Sequence, residues 1–278
     1  MKKIFTLLLL MIFVGTFITS CKKDKGDPPV LPPVESMAID FSNFESGNKS
    51  SDISLPKGIE DINWNLVYDV ANFWHNIITT TLAVPVLSFK LAIDEKPEYL
   101  DDKTWQWTYT ATYLTVSYTA RLTGQIRSSD VLWKMYITRT GAGGFSEFLW
   151  FEGTSKLDGT GGQWKLNYSQ AEPVPLLQID WTRTGTTMGT VKYTYVKTKL
   201  PGGVTDNPFN GSYITYGKKT GTYDSYYAIH YFFSSAFADF SVEWSTTGKN
   251  GRVKSLGFFG DSNWHCWNGN YSDVICPE

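Results

Sequence analysis

The chain has 278 residues, with 25 basic side chains against 27 acidic ones and a net charge near −2. No Lys/Arg cluster lies beyond the first thirty residues, so the electrostatic footprint of a nucleic-acid binder is missing. With 42% hydrophobic residues, among them 11 Trp, 16 Tyr and 17 Phe, the chain can bury a sizeable core as one large domain.

Lys2 and Lys3 precede an apolar run from Ile4 to Ile18, which ends in small residues at Thr19 and Ser20. A basic start and a greasy stretch of roughly 15 residues, too short for a comfortable membrane span, read as a secretory signal over residues 1–20. The sequence Ile18-Thr19-Ser20-Cys21 resembles the lipobox of bacterial lipoproteins, in which the cysteine is cut free and acylated. The stretch Lys22-Lys23-Asp24-Lys25-Gly26-Asp27 resembles the charged segment behind that cysteine in lipoproteins of Bacteroidota. These resemblances imply lipidation at Cys21, the membrane as a partner, and a place in the cell envelope, at the outer membrane, on a face the sequence leaves open. With Cys21 a thioether, the remaining cysteines, Cys266 and Cys276, are expected to form a disulfide in an oxidising compartment. Residues 21–36 carry Pro28, Pro29, Pro32 and Pro33 and read as a stiff tether reaching about 45 Å. Residues 37–278 then make a single β-rich domain.

Met37 to Phe41 alternates and reads as a first strand, and Phe44 to Lys57 as a Ser/Asn/Gly-rich loop. From Asp61 the period changes. Ile62, Leu66, Val67, Val70, Phe73, Trp74, Ile77, Ile78 and Leu82 follow the helical spacing, with Asn63, Asn65, Asp69, Asn72 and Asn76 opposite. This predicts a helix over about 61–82, with Asp61 as N-cap and Pro85 breaking or kinking it.

From Trp105 the pattern has a period of two. Trp105 to Tyr113, Val116 to Leu122, Val131 to Ile137 and Phe145 to Glu152 lead the series. Further runs surround Trp164, Ile179, Tyr193, Tyr213, Ile229, Val242 and Val253 to Phe259, separated by glycine-rich turns. Asn250-Gly251 carries a type I′ hairpin signature. Strands about a dozen residues apart leave no room for crossover helices. They predict a mainly β fold: a large antiparallel meander forming a strongly curved sheet or barrel, with the N-terminal helix packed on its concave side. The arrangement over residues 60–260 resembles lipocalin-like and LolA/LolB-like proteins, whose curved sheets cup an apolar space. It rests on strand count and helix placement, so no functional residue transfers.

Chemistry-bearing residues are sparse. His75, His230 and His265 lack the close spacing of a metal site. The glycine clusters at 141–144 and 159–162 precede no helix and read as hairpin loops rather than phosphate cradles. Asp180 and Glu243 read as solvated, whereas Glu152 falls on the face of Phe148 and Trp150, where burial would raise its pKa. A lone carboxylate does not make a glycosidase, and no Gly-x-Ser-x-Gly elbow is present.

The sequence therefore points to a non-enzymatic envelope protein needing no cofactor or metal. Its aromatic excess suggests an apolar or amphipathic ligand, with Phe73, Trp74, Trp107, Trp133 and Trp150 as candidate contacts. The alternative is an interaction module docking to another envelope protein or a glycan through exposed Trp and Tyr. For the anchor, acyl chains contribute about 0.8 kcal/mol per buried methylene. Cys21→Ser is expected to move the protein into the soluble fraction or leave an uncleaved precursor, as read by membrane fractionation and intact-mass measurement.

Overall fold

The computed structural model describes residues 25–44 and 61–277; the signal segment, Cys21 and most of the Ser/Asn/Gly-rich stretch lie outside them. Among the described residues, fourteen strands form one antiparallel sheet whose spatial order is the chain order. The strands are β1 (Glu98–Tyr99), β2 (Thr104–Tyr113), β3 (Val116–Ile126), β4 (Asp130–Arg139), β5 (Phe145–Lys156), β6 (Gly161–Asn167) and β7 (Pro175–Thr184). They continue as β8 (Thr187–Tyr195), β9 (Tyr213–Lys218), β10 (Ser225–Phe233), β11 (Ala236–Trp244), β12 (Gly251–Lys254), β13 (His265–Trp267) and β14 (Asp273–Val274). Helix α1 (Ile62–Ile93) precedes them, and a four-residue helix, α2 (Leu256–Phe259), sits between β12 and β13. Of the two expected architectures the curved open sheet is the one formed: β1 and β14 do not pair, and α1 lies on the concave side.

Helix α1 has 32 residues, a length of about 48 Å. Its buried side chains are Trp64, Leu66, Val67, Val70, Ala71, Trp74, Ile78, Leu82, Pro85, Phe89 and Ala92, with Asn63 at the start. By length and composition it could cross a membrane; here this stripe packs against β2 and β3 toward one end and β12 to β14 at the other. It runs unbroken through Pro85, past the expected limit at Leu82. A proline inside a helix costs about 3 kcal/mol through its missing N–H. Burial of Pro85 itself, and of Phe89 against Phe151 and Trp164, offsets that cost.

The helix start also departs from expectation. Asp61 makes no side-chain cap. Instead Asp273, on the last strand, accepts hydrogen bonds from the Ile62 and Asn63 amides, both at 3.0 Å. The Asn63 side chain donates to the Cys266 carbonyl at 3.0 Å, and Asp61 Oδ1 accepts from the Asp273 amide. The Cys266–Cys276 disulfide, with Cα atoms 5.1 Å apart, closes the loop that carries Asp273.

The core is built from large side chains set against small ones. Trp74, Trp107, Trp133, Trp164, Trp181, Trp244 and Trp267 are each no more than 2% exposed. Adjacent strands place Trp105, Gly124, Trp133, Gly153 and Trp164 opposite one another in a row from β2 to β6. A methyl on Gly124 would come 2.5 Å from the Trp133 ring, so each indole occupies the space its neighbour lacks. Gly251 serves the same purpose. It opens β12, where a methyl would lie 2.2 Å from Trp267, and the left-handed residue of the preceding turn is Lys249. The Asn250-Gly251 pair is therefore a packing site rather than a type I′ turn.

The segment before α1 differs as well. Met37 to Phe41 is not a strand: 3₁₀ turns at Val34–Met37 and Ser42–Phe44 flank it. Nor are Pro29 and Pro32 part of a free tether, since both are buried. Ser36 accepts a hydrogen bond from Trp164 Nε1 at 3.0 Å, and Met37 enters the core. Apolar burial draws this stretch onto the sheet, and prolines fit there because they demand no hydrogen bond for a missing N–H.

Asp273→Ala is expected to cost about 1–2 kcal/mol, the value of a helix N-cap, and Asp61→Ala less. Trp74→Ala should cost about 3–5 kcal/mol as a large core truncation. Urea denaturation of the three variants checks the order.

Candidate functional site

The first turns of α1 place Ile62, Asn65, Leu66, Asp69 and Val70 along one flank of the helix, a spacing of three, one, three and one. Facing them are Tyr231 and Phe233, on the concave side of β10 near its end. Phe258, from α2, forms the third wall, its ring 5.9 Å from that of Phe233. With Asp61, these residues enclose a groove of about 370 Å³.

Local geometry produces each wall. β10 turns into β11 through Ser234 and Ser235, both left-handed at φ 47° and 76°, giving a tight two-residue hairpin that leaves Phe233 37% exposed at its edge. Helix α2 stops at Gly260, whose φ of 78° suits a residue without a Cβ, and its amide donates to the Leu256 carbonyl. Tyr231 is held by Phe73 (centroids 4.7 Å apart) and Phe209 (5.8 Å). Burial pushes its phenol above the usual tyrosine range.

The floor is apolar and the rim acidic. Leu66, Val70, Tyr231, Phe233 and Phe258 offer hydrocarbon and aromatic surface, whereas Asp61, Asp69 and Asn65 supply the polar atoms. Among the described residues no lysine or arginine lines the groove. Asn65 donates to the Asp61 carbonyl at 2.6 Å, which fixes that part of the rim. Such a groove suits an apolar group with a cationic or hydrogen-bond-donating end.

The five residues expected from sequence to contact a ligand lie elsewhere. Trp74, Trp107 and Trp133 are buried in the core, with Trp107 and Trp133 packed together (centroids 5.8 Å) and the Trp133 indole N–H donating to Ser155. Phe73 is half-buried behind the groove, joined to it through Tyr231. Trp150 is half-buried against Phe148. The structure thus brings Phe73 and Trp74 near the groove's back wall and leaves Trp107, Trp133 and Trp150 on strands that do not line it. Sequence reading missed Phe233 and Phe258. Ser234-Ser235 is not a strong turn signature, and Val253 to Phe259 alternates as a strand would although its second half is helical.

The remaining polar residues form supporting networks. A register shift at Trp150 moves Glu152 to the convex face, paired across the sheet with Lys134 and Lys165, so it is not buried beside Phe148 as expected. His230 pairs with Asp239 at 2.7 Å and stacks between Tyr213 and Phe237. His265 lies on Phe259 and His75 on Phe41. Among the described residues no group of three or more His, Cys, Asp or Glu is placed to hold a metal ion. On the convex side Arg252 stands 4.3 Å above the Trp264 ring, with Lys254 at 4.8 Å. Glu243 accepts from Arg252 at 2.6 Å and from Lys219 at 2.5 Å.

Comparison of the chain with protein-family models, with curated proteins and with solved structures gave no match. The reading of the site therefore rests on its own chemistry.

Partial burial alone would raise the Glu243 carboxyl, but the bonds from Lys219 and Arg252 outweigh it and hold the group below the usual carboxylate range. A depressed folded-state value means stability that is present at neutral pH and lost as pH falls through that value. Glu243→Gln is expected to flatten the stability–pH profile below about pH 4.5. Urea midpoints across that range measure it.

Proposed function

We propose that this chain is a lipid-anchored protein of the cell envelope, without enzymatic activity, that holds an apolar or amphipathic ligand in the groove between α1 and β10. The observation that carries the reading is the groove: about 370 Å³, within the range of small-molecule sites, with an apolar floor and two carboxylates on its rim. The ligand class that fits has an apolar body and a cationic or donor end. An anionic head, such as that of a fatty acid, meets the Asp61 carboxylate on the rim and is disfavoured. The groove lies beside the core, in which Trp74, Trp107, Trp133, Trp164, Trp181, Trp244 and Trp267 are buried.

A second reading has its own support. A filled interior and exposed aromatics at Phe233 and Phe237 favour an interaction module, in which the groove receives an apolar side chain of another envelope protein.

A neutral naphthylamine probe is expected to bind saturably. Dodecylamine should displace it at least tenfold better than dodecanoate, a difference of about 1.4 kcal/mol. Phe233→Ala should weaken binding severalfold while the melting temperature stays within a degree or two of wild type. A wild-type protein that binds no probe would transfer the case to the interaction module.

A further inference from the structure

The two edges of the sheet are not alike. β14 is two residues long and its Asp273 is committed to the helix start. At the other edge β1 covers only Trp105 and Gln106 of the ten-residue strand β2, so among the described residues the stretch from Trp107 to Tyr113 has a neighbouring strand on one side only. The direction of its backbone groups follows from two hydrogen bonds. The Ile126 amide donates to the Lys103 carbonyl on the β3 side, and the Leu100 amide donates to the Thr104 carbonyl on the outer side. Along a strand the N–H and C=O of each residue point the same way and alternate. Thr108, Thr110 and Thr112 therefore turn their amides and carbonyls outward, and all three residues are exposed.

The usual guards of an edge are missing here. No charged residue and no proline occurs from Thr104 to Ala120, where lysine, proline or an inward charge would normally block pairing. The convex surface of the strand carries hydroxyl pairs, Thr110 with Thr119 at 3.0 Å and Thr112 with Ser117 at 2.7 Å. β1 closes the slot at one end and the β2–β3 turn at the other, with Leu114 82% exposed at its tip.

We propose that β2 pairs antiparallel with β2 of a second copy of this chain about a two-fold axis at Thr110. Two-fold pairing places like residues on like, which a charged strand forbids and this uncharged one permits. Centred on Thr110, the register sets Thr108 opposite the second copy's Thr112 and satisfies every outward group with roughly six backbone hydrogen bonds. A register shifted by two in one direction leaves part of that set unpaired, and in the other it drives the turn into β1. The threonine hydroxyl row then continues across the axis, and the two sheets become one.

The test uses the full-length chain in mild detergent. Sedimentation equilibrium is expected to show a reversible dimer below about 100 µM. Thr110→Lys, which sets two ammonium groups face to face, should weaken it at least tenfold with an unchanged melting temperature. Thr110→Pro should do the same, because it removes an N–H that β3 does not use. Thr110→Cys should cross-link to dimer with a short bis-maleimide beyond the wild-type level, while Thr187→Cys, exposed on β8, should not. A wild-type protein that stays monomeric at that concentration overturns the proposal, and leaves the slot to an extended segment of another protein. A Thr110→Lys variant that dimerises as tightly as wild type overturns it equally.

Discussion

The Asp273 carboxylate, seated on the first two amides of α1, joins the last strand of the sheet to the helix that comes before the first. An open meander of fourteen strands has no intrinsic reason to keep its curvature, because hairpin pairing fixes neighbours and says nothing about ends. The helix supplies that constraint. Its start is bound to β13 and β14, and its stripe packs toward β2 and β3, so it spans the opening that a closed barrel would seal with strand pairing. The disulfide limits how far the Asp273 loop can stray, which reduces the entropy lost when the cap forms.

With the helix in place, the concave side is lined by large buried side chains, tryptophan above all. Indoles interleaved with glycines leave no room for a methyl at Gly124, Gly153 or Gly251, and the groove lies beside this core, between the first turns of α1 and β10. Filling the core this way has a cost. The indole N–H groups of Trp74, Trp181 and Trp244 and the phenol of Tyr193 make no hydrogen bond among the described residues. At about 1–3 kcal/mol for each unsatisfied group, the arrangement holds because every such ring also buries a large apolar area.

The fold was largely legible because its signals are local. Period-two runs such as Trp105 to Tyr113 and the helical spacing from Ile62 to Leu82 are properties of consecutive residues, and both survive in the structure. What stayed hidden depends on partners far along the chain. Nothing near Pro85 announces that Phe89 will find Phe151 and Trp164, and nothing near Asp61 announces that Asp273 will take over its role. The same holds for the site. Aromatic excess correctly marks a protein rich in ring contacts, but whether a given ring fills the core or lines a groove is decided by the one-residue shift at Trp150 and the Ser234-Ser235 hairpin. Trp133 and Phe233 look alike in sequence; Gly124 makes room for one in the core, and the other lines the groove at the start of α1.

The distance in sequence between Asp273 and the helix it caps also sets an order of events. Every strand pairs with its predecessor, so the sheet can zip up hairpin by hairpin as the chain emerges, with mostly short loops to close apart from the long connection between β8 and β9. The helix cannot follow that schedule. It is made early, long and apolar, and its cap and half of its packing surface arrive with the final residues. Until then it is the segment most exposed to wrong company, a bilayer or another unfinished chain. A protein with this wiring gains from a holdase that recognises an apolar helix before the sheet is complete. A chain cut after Trp267 would therefore fail first at the start of α1, where Asp273 is needed.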